Sequence, residues 1–172
     1  GGGTGLSTML KGLKLHTHNI TAVVTVADDG GSSGILRSDL GMLAPGDVRN
    51  CVSALAEVDP VMGELLNFRF KDGSLKGHSL GNLFLAALNE TSSSFDEAVK
   101  KFSHLTGVVG TVYPVTNESV TLSALLEDGR LIEGESHIGV HHDGPKNGIV
   151  KLMVNPEKPK AVDGVIKALE KA

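Results

Sequence analysis

The run ITAVVTVADD, residues 20–29, is nearly continuous in apolar and β-branched residues and ends in two acids. Such a run predicts a strand covered on both faces within a parallel sheet. Before it, residues 7–18 (STMLKGLKLHTH) put Met9, Leu10 and Leu13 on one side of a helix, which predicts a crossover between two parallel strands. The first of those strands is expected just before Gly1. Residues 30–47, GGSSGILRSDLGMLAPGD, read as a Gly/Ser-rich loop closing on Pro45, Gly46 and Asp47. Asp47 then stands as an N-cap for residues 48–59, where Val48, Cys51, Val52 and Leu55 recur at helical spacing.

Two further helices follow. Residues 77–90 (GHSLGNLFLAALNE) offer Leu80, Leu83, Phe84, Ala87 and Leu88 as an apolar face. Residues 95–107 bury Phe95, Ala98, Val99 and Phe102 and stop at Gly107. The pattern then changes to strands at 108–116 and 119–138, the latter folded on Asp128-Gly129 as a hairpin. A last strand at 149–156 leads through a Pro-containing link to a helix at 160–172. The chain contains no internal repeat, and alternating strand and helix patterns of this kind predict an α/β fold.

A length of 172 residues fits one domain, 1–172, with a core of its own. The net charge of −4 and the lack of any Lys/Arg run argue against nucleic acid as a partner. Cys51 is the single cysteine, which excludes an internal disulfide framework and a thiolate cluster and fits a reducing, cytoplasmic setting. No apolar run is long enough to span a bilayer, so no membrane span is expected. With 22 glycines and 3% aromatics, the core is aliphatic and the turns are tight.

Those turns carry the candidate chemistry. In the opening GGGTG, Gly2, Gly3 and Gly5 permit a sharp bend before a helix start, and Thr4 adds a hydroxyl, an arrangement that suits phosphate or simply a tight turn. It is neither a P-loop nor the spaced dinucleotide fingerprint. In the second turn, Asp28 and Asp29 project to opposite sides of a strand end. One of them can reach a ribose hydroxyl or a divalent ion while Gly30, Gly31, Ser32 and Ser33 hold phosphate oxygens; alternatively both acids only cap the turn. Arg37 follows a few residues on.

At the next helix start, Asp47, Arg49 and Asn50 gather an acid, a guanidinium and an amide; Arg49 suits bidentate contact with a carboxylate or phosphate, and Asp47 suits capping. His78 and Asn82 are one helical turn apart, so His78 is an acid/base candidate or an ordinary polar contact. Asp29, Asp47 and His78 are thus the candidate catalytic groups, with Asp29 the metal candidate if Mg²⁺ is used. His141, His142 and Asp143 do not share a face and lack a third ligand at useful spacing, so a solvated loop is preferred to a metal site. Cys51 lies on an apolar helix face and reads as packing.

Four segments, GGGTGLSTMLKGLK, VTVADDGGSSGILR, PGDVRNCVSALA and KGHSLGNLFLAAL, occur in one order at one spacing. Together they resemble the CofD-like family, which joins 2-phospho-L-lactate transferases to the bacterial YvcK-type proteins called gluconeogenesis factors. The wording VADDGGSSG and PGDVRN is closer to the YvcK branch. The resemblance implies a Rossmann-like three-layer α/β fold with a mostly parallel sheet, helices on both faces and a β-hairpin, its ligand held beyond the carboxyl ends of the strands. It also implies that these residues correspond to the N-terminal half of the family fold, with a strand before Gly1 and a further strand and phosphate loop beyond residue 172.

Carried over by motif, Gly2, Gly3, Thr4 and Gly5 match the first nucleotide loop, and Asp28 to Ser33 match the acid-glycine loop. Asp47, Arg49 and Asn50 match the second turn, and His78 with Asn82 match the helix start. The implied function is binding of a UDP-sugar, UDP-N-acetylglucosamine in kind, in a regulator of cell shape and cell-wall precursors during growth on gluconeogenic carbon sources, with no required cofactor. The alternative is a Mg²⁺-dependent phospholactyl transferase, for which the scarcity of aromatics offers little surface for a flavin-like acceptor. A homo-oligomer is compatible with either.

Overall fold

The computed structural model describes residues 2–140 and 147–172, so the expectation for His141, His142 and Asp143 lies outside the described residues. Helix α1 (Gly3–Leu13) leads into strand β1 (Thr21–Val24), which pairs in parallel with β2 (Thr111–Pro114) in the register Thr21↔Thr111 to Val24↔Pro114. The pairing carries one step past the strand, the Val115 N–H donating to the Val24 carbonyl at 2.8 Å. The strand is shorter than the apolar run, and Thr25 to Asp28 continue without regular structure toward the site. Ala22 and Val24 are buried, whereas Thr21 is exposed and Val23 half-buried. Cover on both faces is therefore not found among the described residues: a cavity of about 580 Å³ opens beside Thr21, Val23, Thr111 and Tyr113.

The Gly/Ser segment expected as a loop holds a helix, α2 (Gly31–Leu40), and this is a correction. Its formation depends on tertiary contacts rather than propensity. A Cβ at Gly34 would stand 2.1 Å from the Asp29 carbonyl oxygen, so only glycine lets the first turn of the helix close against the turn that precedes it. Gly41, at φ 64°, closes the helix in the left-handed conformation. Arg37 then staples the helix to the strands, its guanidinium donating to the carbonyls of Asp28 (3.2 Å) and Val120 (3.0 Å).

Helix α3 (Gly46–Leu55) buries Val48, Cys51, Val52 and Leu55 as their spacing predicts, and packs against α1 and both parallel strands. It ends four residues before the expected limit, because Asp59 and Pro60 start a separate helix, α4 (Pro60–Asn67). There Asp59 caps by accepting from the Val61 N–H at 2.9 Å, and Pro60 occupies a first-turn position where no amide donor is needed. In α1 only Leu10 of the expected trio is buried; Met9 and Leu13 are exposed.

Helix α5 (Leu80–Glu90) begins later than expected, capped by Ser79, and its buried stripe is Gly81, Asn82, Leu85 and Ala86. Leu80 is only half-buried, Leu83 and Leu88 lie at the margin of the core, and Phe84 and Ala87 are exposed, so the expected apolar face is rotated. Helix α6 (Phe95–Leu105) buries the four residues its spacing names, with Ser94 as N-cap and Gly107 beyond its end at φ 57°.

The hairpin turns at Asp128-Gly129 between β3 (Thr121–Leu126) and β4 (Leu131–Glu133), with Gly129 at φ 86°. The second arm does not run to Ile138 as expected. Gly134 breaks it, and a short helix α7 (Glu135–Gly139) follows. Strand β5 (Ile149–Asn155) pairs with β3, so the antiparallel sheet has the order β4-β3-β5 and stands apart from the parallel pair. Helix α8 (Asp163–Leu169) ends the chain. The fold is α/β: a parallel strand pair, an antiparallel three-stranded sheet, and helices that pack chiefly on the parallel pair.

Candidate functional site

Beyond the carboxyl end of β1, a cavity of about 200 Å³ lies between the starts of α2, α3 and α5. Asp28, Gly30, Gly31, Ser32, Ser33, Asp47, Arg49, Asn50 and Asn82 line it, together with Gly46 and Arg69. Three of the four sequence segments thus meet at one place. Helix α2 has no side-chain cap, so its first N–H groups have no helical acceptor and face the site as an anion-favouring end.

Close approach of the helices depends on two glycines. A Cβ at Gly46 would stand 2.4 Å from Ser33 Oγ, the atom that accepts the Gly46 N–H at 3.1 Å. A Cβ at Gly81 would meet the Leu66 carbonyl at 2.6 Å and the Arg49 stem at 2.9 Å. Removing either glycine's clearance pushes α2 from α3, or α5 from Arg49.

A buried polar chain runs behind the cavity. Arg49 Nε donates to Asn82 Oδ1 at 3.3 Å, and Arg49 Nη1 donates to Asn67 Oδ1 at 2.9 Å. Because arginine only donates, Asn82 must turn its oxygen to Arg49 and its nitrogen to Ser32, where Nδ2 donates to Oγ at 3.0 Å. The same Ser32 oxygen lies 2.9 Å from His78 Nδ1, which extends the chain to the imidazole. His78 precedes α5 rather than lying on it, and a short antiparallel bridge between Arg69 and Ser79 holds it in place. Arg49, Ser32, His78 and Asn82 are all buried.

Asp47 lies on the acidic side of the cavity. Burial and the neighbouring Asp28 raise its carboxyl above the ordinary value, and a hydrogen bond from the Gly3 N–H partly opposes them. Asp47 is therefore not the N-cap expected of it; Pro45 holds that position, and the Asp47 carboxylate instead meets the start of α1. Gly2, Gly3, Thr4 and Gly5 do not line the cavity: Gly3 to Gly5 form the first turn of α1, and a Cβ at Gly2 would touch Asp47 Oδ2. Burial and Asp47 together push the Cys51 thiol up to about 11, so it is a protonated core group at neutral pH.

The two adjacent acids do diverge. Asp28 turns back on its own loop, accepting from the Gly30 N–H at 3.0 Å, and faces the cavity. Asp29 points away and accepts from the Ser136 N–H of α7 at 2.8 Å. Gly134 lets the chain come that close, since a Cβ there would sit 2.3 Å from Asp29 Oδ2. Arg37 is likewise occupied by the carbonyls described above. Sequence reasoning missed Asn67, Arg69 and Glu135. Burial, then Asp28 and Asp47, raise the Glu135 carboxyl, which brings a third acid toward the site. The only signal for Arg69 was the pair of phenylalanines around it, whose rings stack edge to face at 5.2 Å.

Helix starts, Gly/Ser turns and a buried guanidinium gathered past the end of a parallel strand define an α/β protein with an anion-suited crevice. Among the described residues no three His, Cys, Asp or Glu side chains gather closely enough to hold a metal by themselves, and no helix is long and apolar enough to cross a membrane. The chain belongs to the family described as 2-phospho-L-lactate transferase CofD, whose sequence profile matches residues 1–172.

It is 46% identical over 175 residues to the gluconeogenesis factor of Bacillus subtilis, covering 98% of this chain and 53% of that protein. A relative in Clostridium acetobutylicum with a gluconeogenesis-factor name is 54% identical over 172 residues, covering all of this chain and 38% of the relative. The crystal structure of a Bacillus halodurans member of the UPF0052 family superposes with a TM-score of 0.94 at 44% identity, over all of this chain and 54% of that one. The chain thus spans about half, or less, of the length of the relatives it matches, and in the solved relative it corresponds to a portion of a larger fold.

Proposed function

We propose that the protein binds a nucleotide sugar of the UDP-N-acetylglucosamine kind and acts in balancing cell-wall precursors and cell shape during growth on gluconeogenic carbon sources, a reading supported by its likeness to relatives named gluconeogenesis factors. The observation that carries this reading is the convergence of the Asp28 to Ser33 turn, the Asp47 to Asn50 helix start and Asn82 on one cavity. In this reading the uncapped start of α2 and the Arg49 guanidinium hold the diphosphate, and Asp28 takes sugar or ribose hydroxyls. The experiment is thermal unfolding of the full-length protein with UDP-, GDP- and NAD-type ligands, since a ligand that binds only the native state raises the midpoint. A rise with UDP-N-acetylglucosamine, reduced in Arg49→Lys, is expected. No rise with any UDP-sugar overturns the reading.

One observation favours a second reading. Asp28 and Asp47 share the acidic wall, and two carboxylates are the share of ligands that a protein commonly gives Mg²⁺ at a phosphate site. These residues fit the ion of a phospholactyl transferase, where Mg²⁺ would supply charge neutralisation on the diphosphate. The chain's own part would be for Arg49 to steady charge on the phosphoryl oxygens and for Ser32, held by His78 and Asn82, to orient them. A midpoint rise only with guanosine nucleotides and Mg²⁺, lost in Asp28→Asn, selects this reading.

A further inference from the structure

Arg49 is 6% exposed, yet its guanidinium meets only the neutral amide oxygens of Asn82 and Asn67. Among the described residues no carboxylate lies within ion-pairing distance of it or of Arg69. Taking an arginine out of water without a counter-charge is costly, and arginine cannot shed its proton to escape that cost. A second guanidinium makes the arrangement worse: Arg69 lines the same cavity, and after burial itself its charge is the other influence lowering the Arg49 pKa. Arg69 is not loose, since Nη1 donates to the Gly77 carbonyl within the ribbon that carries His78. The fold therefore lines one cavity with two like charges and, among the described residues, ion-pairs neither with an acid.

We propose that Arg49 and Arg69 form a two-guanidinium clamp for a phosphoryl group of the ligand, with Arg69 the specificity-determining member. The inference rests on the diphosphate reading above and deepens it by fixing how the ligand lies. The phosphoryl group sits against the Arg49–Arg69 wall, where the open start of α2 adds N–H donors. The hydroxyl-bearing part meets Asp28 and Asp47, because a bare phosphate beside them would face two acids. At about 200 Å³ the cavity is smaller than the roughly 300–1,000 Å³ that encloses a whole ligand, so it takes the anionic centre and leaves the ends outside. Planar guanidinium forks suit tetrahedral oxyanions in a way that an ammonium does not.

The test is isothermal titration of the full-length protein with inorganic pyrophosphate and, separately, UDP-N-acetylglucosamine, using wild type, Arg69→Met, Arg69→Lys and the control Lys71→Met. Arg69→Met is expected to weaken pyrophosphate about ten- to a hundredfold, the span of one charged hydrogen-bonded contact. Arg69→Lys should fall between, and Lys71→Met should bind as wild type does. If Arg69→Met binds both ligands as wild type does, the clamp is overturned while the nucleotide-sugar reading stands. If wild type binds neither ligand, the diphosphate reading fails and the clamp fails with it. A thermal midpoint of Arg69→Met within a few degrees of wild type excludes unfolding; if that variant does not fold, Arg69→Lys decides by the same criterion.

Discussion

Ser32 Oγ lies 2.9 Å from His78 Nδ1, a contact between residues 46 apart that ties the start of α2 to the ribbon before α5. Ser32 also accepts from Asn82, so one hydroxyl closes two bonds inside the protein. Ser32→Ala leaves both partners without a mate in a dry setting, at a cost of about 1–3 kcal/mol. Urea unfolding should show that loss as a lower midpoint at unchanged slope. Ser7→Ala, which deletes an exposed hydroxyl bonded only to the Thr4 carbonyl, should stay within about 0.5 kcal/mol of wild type.

Gly34 and Gly5 predict opposite signs for one chemical change. A methyl at Gly34 meets the Asp29 carbonyl at 2.1 Å, and backbone cannot step aside cheaply, so Gly34→Ala should destabilise by about 1–3 kcal/mol or more. Nothing stands within 4 Å of a Cβ at Gly5 in α1, so Gly5→Ala should stabilise by about 0.5–1 kcal/mol. Thermal unfolding of the pair checks both signs.

Asp29 carries an acid-dependent tie between the strand end and α7. Burial pushes its carboxyl up, but hydrogen bonds from the Ser136 backbone and side chain, with His137 nearby, outweigh it and hold the group below the ordinary value. A native value below the unfolded one means stability present above about pH 3.9 and lost as pH falls through the native value. Asp29→Asn should therefore be less stable than wild type at neutral pH, with the two curves converging in acid. Parallel curves down to about pH 2 would show that the tie carries no charge dependence.

Asp47 should behave in the opposite way. Burial and Asp28 raise its carboxyl, so its ionisation opposes folding, and the cost is present above the native value and relieved as pH falls. Asp47→Asn keeps an oxygen for the Gly3 N–H and removes the charge. It should gain stability over wild type at neutral pH, and the gain should vanish below about pH 4. A variant less stable than wild type at pH 7 would mean that the lost charge was worth more to the α1 start than its repulsion cost.

The helices with strong local signals are legible in the residue pattern alone. Val48, Cys51, Val52 and Leu55 in α3, and Phe95, Ala98, Val99 and Phe102 in α6, are buried as their spacing requires. Helix α2 is not legible in that way, because GGSSG has the composition of a loop and becomes helical only where Gly34 can close against the preceding turn and Arg37 can reach two carbonyls. Helix α5 is legible but rotated, since Asn82 faces inward to meet Arg49 and Ser32, an arrangement that an apolar-face rule cannot anticipate.

Residue order alone carries the α/β class, the succession of most elements and the turns on which the site is built, because hydrophobic period and turn chemistry act over a few residues. Which turn residues share a cavity was settled by packing between distant segments. Asp28 went to the cavity and Asp29 to α7, Asp47 took the start of α1 instead of capping its own helix, and Arg69 arrived from a segment with no motif. Those outcomes depend on contacts between residues tens of positions apart, where glycine clearances and donor-acceptor pairing, rather than local periodicity, select the arrangement.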